Sequence, residues 1–230
     1  MRTAPVELVN ASAIIVTRGD QDLTPILDSL PKDWQILFWD NGAGECREWT
    51  QDHAMWVPSF RWDASDLSVY GRYAAIEHAN GDLIYVQDDD CVVSEPRELL
   101  HRWVALNGSR YGQADHLVAN MPQPFRAHYT DSCLVGFGAV FHRDAPERAF
   151  GRFNLALDNP FFGEDGSADY DFYRRDCDIV FTALTPRVLV DVPYENLPWA
   201  TADDRLYRQP EHMAKRTRML ELARKVRDAG

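Results

Sequence analysis

Apolar and polar positions fall into two alternating textures along the chain. Short runs of β-branched and aromatic residues are separated by stretches whose apolar residues recur at helical spacing, the pattern of strands alternating with helices in an α/β domain. Ala13-Ile-Ile-Val-Thr17 is a continuous apolar run suited to a strand covered on both faces, and it stops at Arg18-Gly19-Asp20. Thr24-Pro25 supplies an N-cap and a first-turn proline for a short helix with Ile26, Leu27 and Leu30 on one side, closed by Pro31. A second strand, Gln35 to Trp39, runs into the turn residues Asp40-Asn41-Gly42. Val69, Tyr73 and Ile76, flanked by Ala75 and Ala79, predict an amphipathic helix from about Ser65 to Ala79, ended by Asn80-Gly81. Strand three, Leu83 to Gln87, is followed at once by Asp88-Asp89-Asp90, and Ser94 and Pro96 then cap a helix carrying Leu99, Leu100, Trp103 and Val104.

From His116 the pattern changes to short extended pieces: His116 to Met121, Leu134 to His142, Ile179 to Ala183 and Val188 to Val192. Asp158 to Gly166, with proline and glycine, interrupts them. The last stretch reads as a surface helix with Met219, Leu220, Leu222, Ala223 and Val226 on its apolar side. There is no internal repeat and no linker long enough to split the chain, so residues 1–230 read as one α/β domain. Its mostly parallel sheet is expected to divide into an N-terminal half, residues 12–110, and a C-terminal half, residues 111–230, closed by the terminal helix.

Composition narrows what such a domain can do. With 230 residues, 45% apolar and 12% aromatic, the chain can bury a sizeable core, and disordered and low-complexity classes are excluded. Lys and Arg number 24 against 36 Asp and Glu, a formal charge of −12, which argues against a whole-surface nucleic-acid binder and against attraction to anionic lipid. The last 20 residues carry +3, so the body stands at −15. No apolar run approaches the roughly 20 residues that span a bilayer. Met1 to Asn10 lacks the pattern of a cleaved leader, so the expected location is cytoplasmic. Cys46, Cys91, Cys133 and Cys177 have no paired spacing and read as free packing thiols.

The acidic triplet at a strand end carries the most chemistry. In open α/β sheets ligands bind outside the carboxyl ends of the strands. Three adjacent carboxylates repel one another unless they share a cation. Asp88 and Asp90, two apart in extended chain, point the same way and can hold Mg²⁺ or Mn²⁺ while phosphate oxygens fill the remaining positions. The plainer alternative is a solvated acidic turn that caps the next helix.

Leu83-Ile-Tyr-Val-Gln-Asp-Asp-Asp90 resembles the strand and Asp-x-Asp motif of GT-A-fold, nucleotide-sugar-dependent glycosyltransferases, of the family 2 type. Further segments follow in the order of that family. Ala13 to Thr17 with Arg18-Gly19 resembles its first strand and nucleotide-contacting loop, and Phe38-Trp-Asp-Asn-Gly42 resembles the second strand with its base-pairing carboxylate. Gly71-Arg-Tyr-Ala-Ala75 resembles the helix whose Arg reaches the nucleotide. Gly136-Phe-Gly-Ala-Val-Phe-His142 resembles the acceptor-side strand, and Ala168-Asp-Tyr-Asp-Phe-Tyr-Arg174 the later acidic motif. The likeness spans residues 12–175.

The resemblance implies a GT-A-like fold and transfer of a sugar from a nucleotide-diphospho sugar, a UDP-sugar by the Asp40 position, to an acceptor hydroxyl. Thr17, Arg18, Asp40, Arg72, Asp88 and Asp89 would contact the donor. Asp88 and Asp90 would hold Mn²⁺ or Mg²⁺, with His212 (or His142) completing the shell. Asp169 would be the base, with Asp171 and Glu164 next. The acceptor, whether glycan, small molecule, protein or a modified DNA base, is left open. So are a nucleotidyltransferase on a similar sheet and a non-catalytic module binding a metal or a basic partner. Arg72 as a solvated helix residue, Asp169 as an N-cap and Trp199 as packing are the structural alternatives.

Overall fold

The computed structural model describes residues 10–19, 21–42, 45–50, 53–55, 67–107, 116–127, 129–157, 175–201 and 210–230. The first apolar run forms β1 (Ala11–Thr17), buried along its whole length. After the short helix α1 (Thr24–Ser29), β2 (Gln35–Asp40) pairs parallel to β1, with Thr17 opposite Asp40. β5 (Leu83–Asp88) pairs parallel to the other side of β1, with Val16 opposite Asp88. Between them come β3 (Glu45–Thr50) and β4 (His53–Met55), which extend the sheet as antiparallel strands beyond β2. The remaining members are β7 (Leu117–Asn120), β8 (Ala139–His142) and β9 (Arg187–Val190). They complete an eight-stranded sheet of order β4-β3-β2-β1-β5-β8-β7-β9, in which β8 runs antiparallel to both its neighbours. A separate two-stranded ribbon joins β6 (Cys91–Val93) to β10 (Tyr194–Asn196).

Strand alternation sends residues to two cores. Ile14, Val16, Leu37, Trp39, Ile84 and Val86 face one of them. Ala13, Ile15, Ile36, Phe38, Leu83 and Tyr85 face the other, which α1 and α3 (Pro96–Asn107) cover with Ile26, Leu27, Leu99, Leu100 and Trp103. On the first face lie a helical segment, α5 (Ala145–Ala156), α6 (Cys177–Leu184) and α7 (His212–Ala229); a single turn of helix, α4 (Gln123–Arg126), follows β7. The result is a single α/β domain, broadly Rossmann-like and GT-A-like, but its sheet between helical layers is mixed and not mostly parallel as expected: among the described residues three of its strand pairs are parallel and four antiparallel, because β3, β4 and β8 all run against their neighbours.

The differences from the sequence reading have physical causes. The helix expected over Ser65 to Ala79 is three short pieces, 3₁₀ at Ser68–Tyr70, α2 at Gly71–Ala74 and 3₁₀ again at Ala75–His78. Gly71 shows why the chain is pressed so close to the sheet: a Cβ there would lie 2.2 Å from Trp39 Cδ1. The segment Ile179 to Ala183, expected to be extended, is instead the middle of α6, a helix with every residue buried. A short continuous apolar run fits a buried helix as well as a buried strand, and here its ring contacts decide. Phe181 packs edge-on against Tyr73 and Phe141, with centroids 5.6 and 4.9 Å away. The piece Leu134 to His142 is a strand only from Ala139, because the Gly138 N–H closes a turn on the Val135 carbonyl. All four cysteines are buried and free, as their spacing suggests. Among the described residues no helix is long and apolar enough to cross a membrane.

The Gly71–Trp39 contact gives a direct test of packing. Gly71→Ala should destabilise the protein by about 1–3 kcal/mol through overpacking, read as a lowered urea midpoint at unchanged m-value.

Candidate active site

Three neighbouring parallel strands end together. The register of β2, β1 and β5 brings Asp40, Thr17 and Asp88 to one carboxyl edge, where β2 flanks β1 on one side and β5, the next parallel strand in the chain, flanks it on the other. Such a reversal of strand order opens a crevice in doubly wound sheets.

Strand β5 stops at Asp88, and Asp89-Asp90 make the turn into β6. Strand alternation therefore does not run through the triplet; Asp88 and Asp90 are half-buried, and Asp89 is 4% exposed. The turn is fastened from three sides. Gln87, fully buried, donates to the Cys91 carbonyl at 2.9 Å and accepts from the Tyr85 hydroxyl at 2.6 Å. The Trp199 indole donates to the Asp89 carbonyl at 2.7 Å, and the Leu197 N–H donates to the Asp90 carbonyl at 2.8 Å. Trp199 is thus an anchor of the acidic turn.

Beneath the edge lies a buried ionic chain. Arg72, with no exposed surface, donates through Nη2 to Asp88 Oδ1 at 2.6 Å and through Nε to the Val69 carbonyl at 3.0 Å. Its Nη1 lies 3.6 Å from Asp178 Oδ2, and Asp178 accepts a 2.6 Å hydrogen bond from the Tyr73 hydroxyl. Burial works against the Arg72 charge, but Asp178 and Asp88 more than offset it and raise its pKa, so the guanidinium stays protonated. Burial likewise raises the Asp178 carboxyl, while Arg72 and the Tyr73 hydrogen bond pull it back down. Arg72 is therefore neither a solvated helix residue nor free to swing to a ligand; it fixes Asp88.

With Oδ1 held by Arg72, the other oxygen of Asp88 faces Gly136. A Cβ at residue 136 would lie 2.1 Å from Asp88 Oδ2, and the Gly136 carbonyl accepts from the Asp88 N–H at 2.9 Å. Glycine at 136 keeps open the space beside the one carboxylate oxygen that Arg72 leaves. Among the described residues no group of three or more His, Cys, Asp or Glu is placed to hold a metal by itself. Two carboxylates, Asp88 and Asp90, match in number the one or two that Mg²⁺ takes before completing its shell with substrate phosphates and water.

The other expected residues distribute as follows. Thr17 is buried, and its hydroxyl accepts from the Gly19 N–H at 3.1 Å, while Arg18 stands exposed at the edge. Asp40 is 5% exposed; its carboxylate meets Arg47 at 3.0 Å and accepts from the Gly42 N–H at 2.9 Å. It therefore shapes the loop mouth beside β1. Next to it, Ser68 has φ +49°, a left-handed conformation uncommon for a residue with a side chain, and its carbonyl accepts from Asn41 Nδ2 at 3.2 Å. His142 sits at the end of β8, where its Nδ1 accepts from the Asp144 N–H at 3.3 Å. Glu164, Asp169 and Asp171 lie outside the described residues.

His212 opens α7 in a cavity of about 300 Å³ that Arg175, Asp176 and Lys215 also line. Burial, then Arg216 and Arg175, push its pKa down to about 4, and the same cations would repel a metal ion. That surrounding disfavours His212 as the third ligand.

Asp178 and Arg47 escaped the sequence reading, and Tyr73, Gln87 and Gly136 entered it only as members of predicted segments. For Asp178 a signal existed: a carboxylate inside Cys177-Asp-Ile-Val-Phe181 has to be paired if the run is buried.

No protein-family model and no curated protein matches the sequence. Among solved structures, A197 from STIV is 15% identical with a TM-score of 0.42, the match covering 82% of this chain and 86% of that one. TarS 1–349 from S. aureus, in complex with UDP, is 12% identical with a TM-score of 0.47, covering 94% of this chain and 65% of that one. The mannosyltransferase PcManGT from Pyrobaculum calidifontis, in complex with GDP-Man and Mn²⁺, is 15% identical with a TM-score of 0.47, covering 99% and 77%. At such identities and scores, the residues at the sheet edge have to carry the functional argument by themselves.

Two measurements probe this geometry. Arg72→Met should cost about 3–5 kcal/mol in urea unfolding because it strands a buried carboxylate, and pairing it with Asp178→Leu should cost less than the two single changes added together. At the other corner, burial raises Asp176 to about 6 against Arg216, Lys215 and Arg175, so its contribution to stability is present at low pH and lost as pH rises through about 6. The depressed His212 contributes stability that is present above 6.5 and lost as pH falls through about 4. The two oppose each other between pH 4 and 6.5. In Tm against pH, Asp176→Asn should make the protein more sensitive to acidification than wild type, and His212→Gln less.

Proposed function

We propose that the protein is a metal-dependent glycosyltransferase, moving a sugar from a nucleotide-diphospho sugar to an acceptor hydroxyl. The observation that supports this reading is the convergence of Thr17, Asp40 and Asp88 at one switch-point edge, with Asp88 fixed from below by a buried cation and open on its Gly136 side. A fixed carboxylate with one free oxygen, followed by a second in a fastened turn, suits a cation that bridges to a diphosphate.

Asp88 through Oδ2, and Asp90, would hold Mn²⁺ or Mg²⁺. The ion, when bound, supplies Lewis-acid neutralisation of the departing diphosphate. Arg18, exposed beside it, adds charge-assisted hydrogen bonds to the same phosphates, and the backbone at Asp89 borders them. Arg72 acts through Asp88 as a positioning residue. Asp40 orders the mouth into which the base enters, and uridine is the base to test first. On the acceptor side Asp169, or Asp171 or Glu164 in its stead, takes the hydroxyl proton as the acceptor oxygen attacks the anomeric carbon. The bond from that carbon to the diphosphate oxygen breaks, and the nucleoside diphosphate leaves with the electron pair.

A thermal-shift screen of UDP- and GDP-sugars tests the proposal. The true donor at a hundredfold excess over its Kd should raise Tm by about 5 °C or more with Mn²⁺ and by nothing measurable in EDTA. Asp90→Ala should keep the wild-type Tm without ligand and lose the shift. A donor that stabilises equally in EDTA, or a panel in which none stabilises, would overturn it.

A further inference from the structure

At the opposite edge of the sheet the charge reverses. β9 runs parallel to β7, and β7 and β5 are both antiparallel to β8, so the start of β9 lies at the edge away from Asp88. There a cavity of about 390 Å³ opens between α5, the end of α6 and the end of α7. Arg148, Arg152, Arg187 and Arg227 line it, with Thr185 and the first turn of α5, and no carboxylate side chain is among its described lining residues. In a chain of net charge −12, four guanidiniums meeting at one cavity is a local inversion of the protein's field.

Capping of helix ends accounts for part of the arrangement. Arg152 Nη2 donates to the Val226 and Arg227 carbonyls at 3.2 and 3.1 Å, in the last turn of α7. Arg187 donates through Nη1 to the Thr182 carbonyl of α6 at 3.2 Å and through Nη2 to the Thr130 carbonyl at 2.7 Å. These bonds fix two guanidinium planes in advance, so a ligand would not have to order them. They also leave Nε and Nη1 of Arg152, and Nε of Arg187, outside the hydrogen bonds to those carbonyls. Among the described residues, Asp144 lies 3.8 Å from Arg148, and Asp131 and Asp228 each lie 3.1 Å from Arg227. Arg224 shares Asp131. The first turn of α5, whose N-cap Asp144 makes no side-chain capping bond, adds the positive end of a helix dipole.

The geometry points to a second site that binds a phosphoryl anion with more than one phosphoryl group, a soluble small molecule of the pyrophosphate kind. Guanidinium forks match phosphoryl oxygens bidentately, and four forks around one cavity, two of them fixed in advance, suit two linked phosphoryl groups better than a single one. The site is independent of the donor edge and needs no metal.

Calorimetric titration of the full chain with inorganic pyrophosphate in EDTA tests this, since EDTA silences any metal-bridged binding at Asp88. One site is expected, weakening as salt is raised. Arg152→Gln and Arg187→Gln each keep a donor for the capped carbonyl but lose the charge, and each should weaken binding about tenfold. Asp90→Ala, which disables the donor edge without touching the buried Arg72 pair, should leave the pyrophosphate affinity unchanged. Should one Gln variant fail to fold, as judged by circular dichroism, the other decides. The inference is overturned by absence of binding, by pyrophosphate affinity that follows Asp90→Ala instead of the arginine variants, or by citrate binding as tightly as pyrophosphate, which would make the site a general polyanion trap.

Discussion

One buried guanidinium sets the terms for the carboxyl edge of this protein. Arg72 has no contact with solvent, and its charge is tolerated only because Asp88 and Asp178 stand on either side of it. An unpaired cation in that position would cost several kcal/mol, so the end of β5, the helical segment after residue 67 and helix α6 must be assembled around it together. Tyr73, next in sequence, seals the far end by donating to Asp178 and packing its ring on Phe181. The orientation of Asp88 follows from this: one oxygen is bound from beneath, and Gly136 leaves room beside the other. The edge is preorganised by charges that a ligand never touches.

How far this was legible in the sequence depended on whether each signal was local. The parallel strands β1, β2 and β5, helices α1 and α3 and the terminal helix all announced themselves through apolar runs and their punctuation. The acidic triplet announced a strand end. Antiparallel β3 and β4 did not, because Glu45-Cys-Arg-Glu-Trp-Thr50 is mostly polar and gains strand character by pairing with β2. Helix α6 was legible as buried but not as helical, since eight consecutive buried residues carry no periodicity. That ambiguity hid Asp178, and with it the reason Arg72 is buried. Asp40 was legible as a functional-looking carboxylate at a strand end, yet its partner Arg47 lies on a strand that local pattern does not predict. Candidate bases Glu164, Asp169 and Asp171 stand as sequence readings alone.

Net charge, read over the whole chain, concealed two opposite surfaces. At the carboxyl edge carboxylates predominate and are tempered by Arg47 and Arg72; at the other edge arginines cap two helix ends and surround a cavity. The separation is a product of topology: parallel strands put all their carboxyl ends on one side, and helices returning across the sheet finish on the other.

The ribbon of β6 and β10 has a consequence for how the molecule comes together. Two backbone carbonyls of the acidic turn are held by Leu197 and Trp199, more than a hundred residues downstream. A chain emerging in order can lay down β1, β2 and β5 early, but it cannot fasten the turn that follows β5 until residues 194–199 arrive. Closing so long a loop is slow relative to local helix formation, so the acidic turn belongs to the last structure to form. The two halves visible in the sequence are therefore not separable modules. The first contributes the carboxylates and the second gives them their shape.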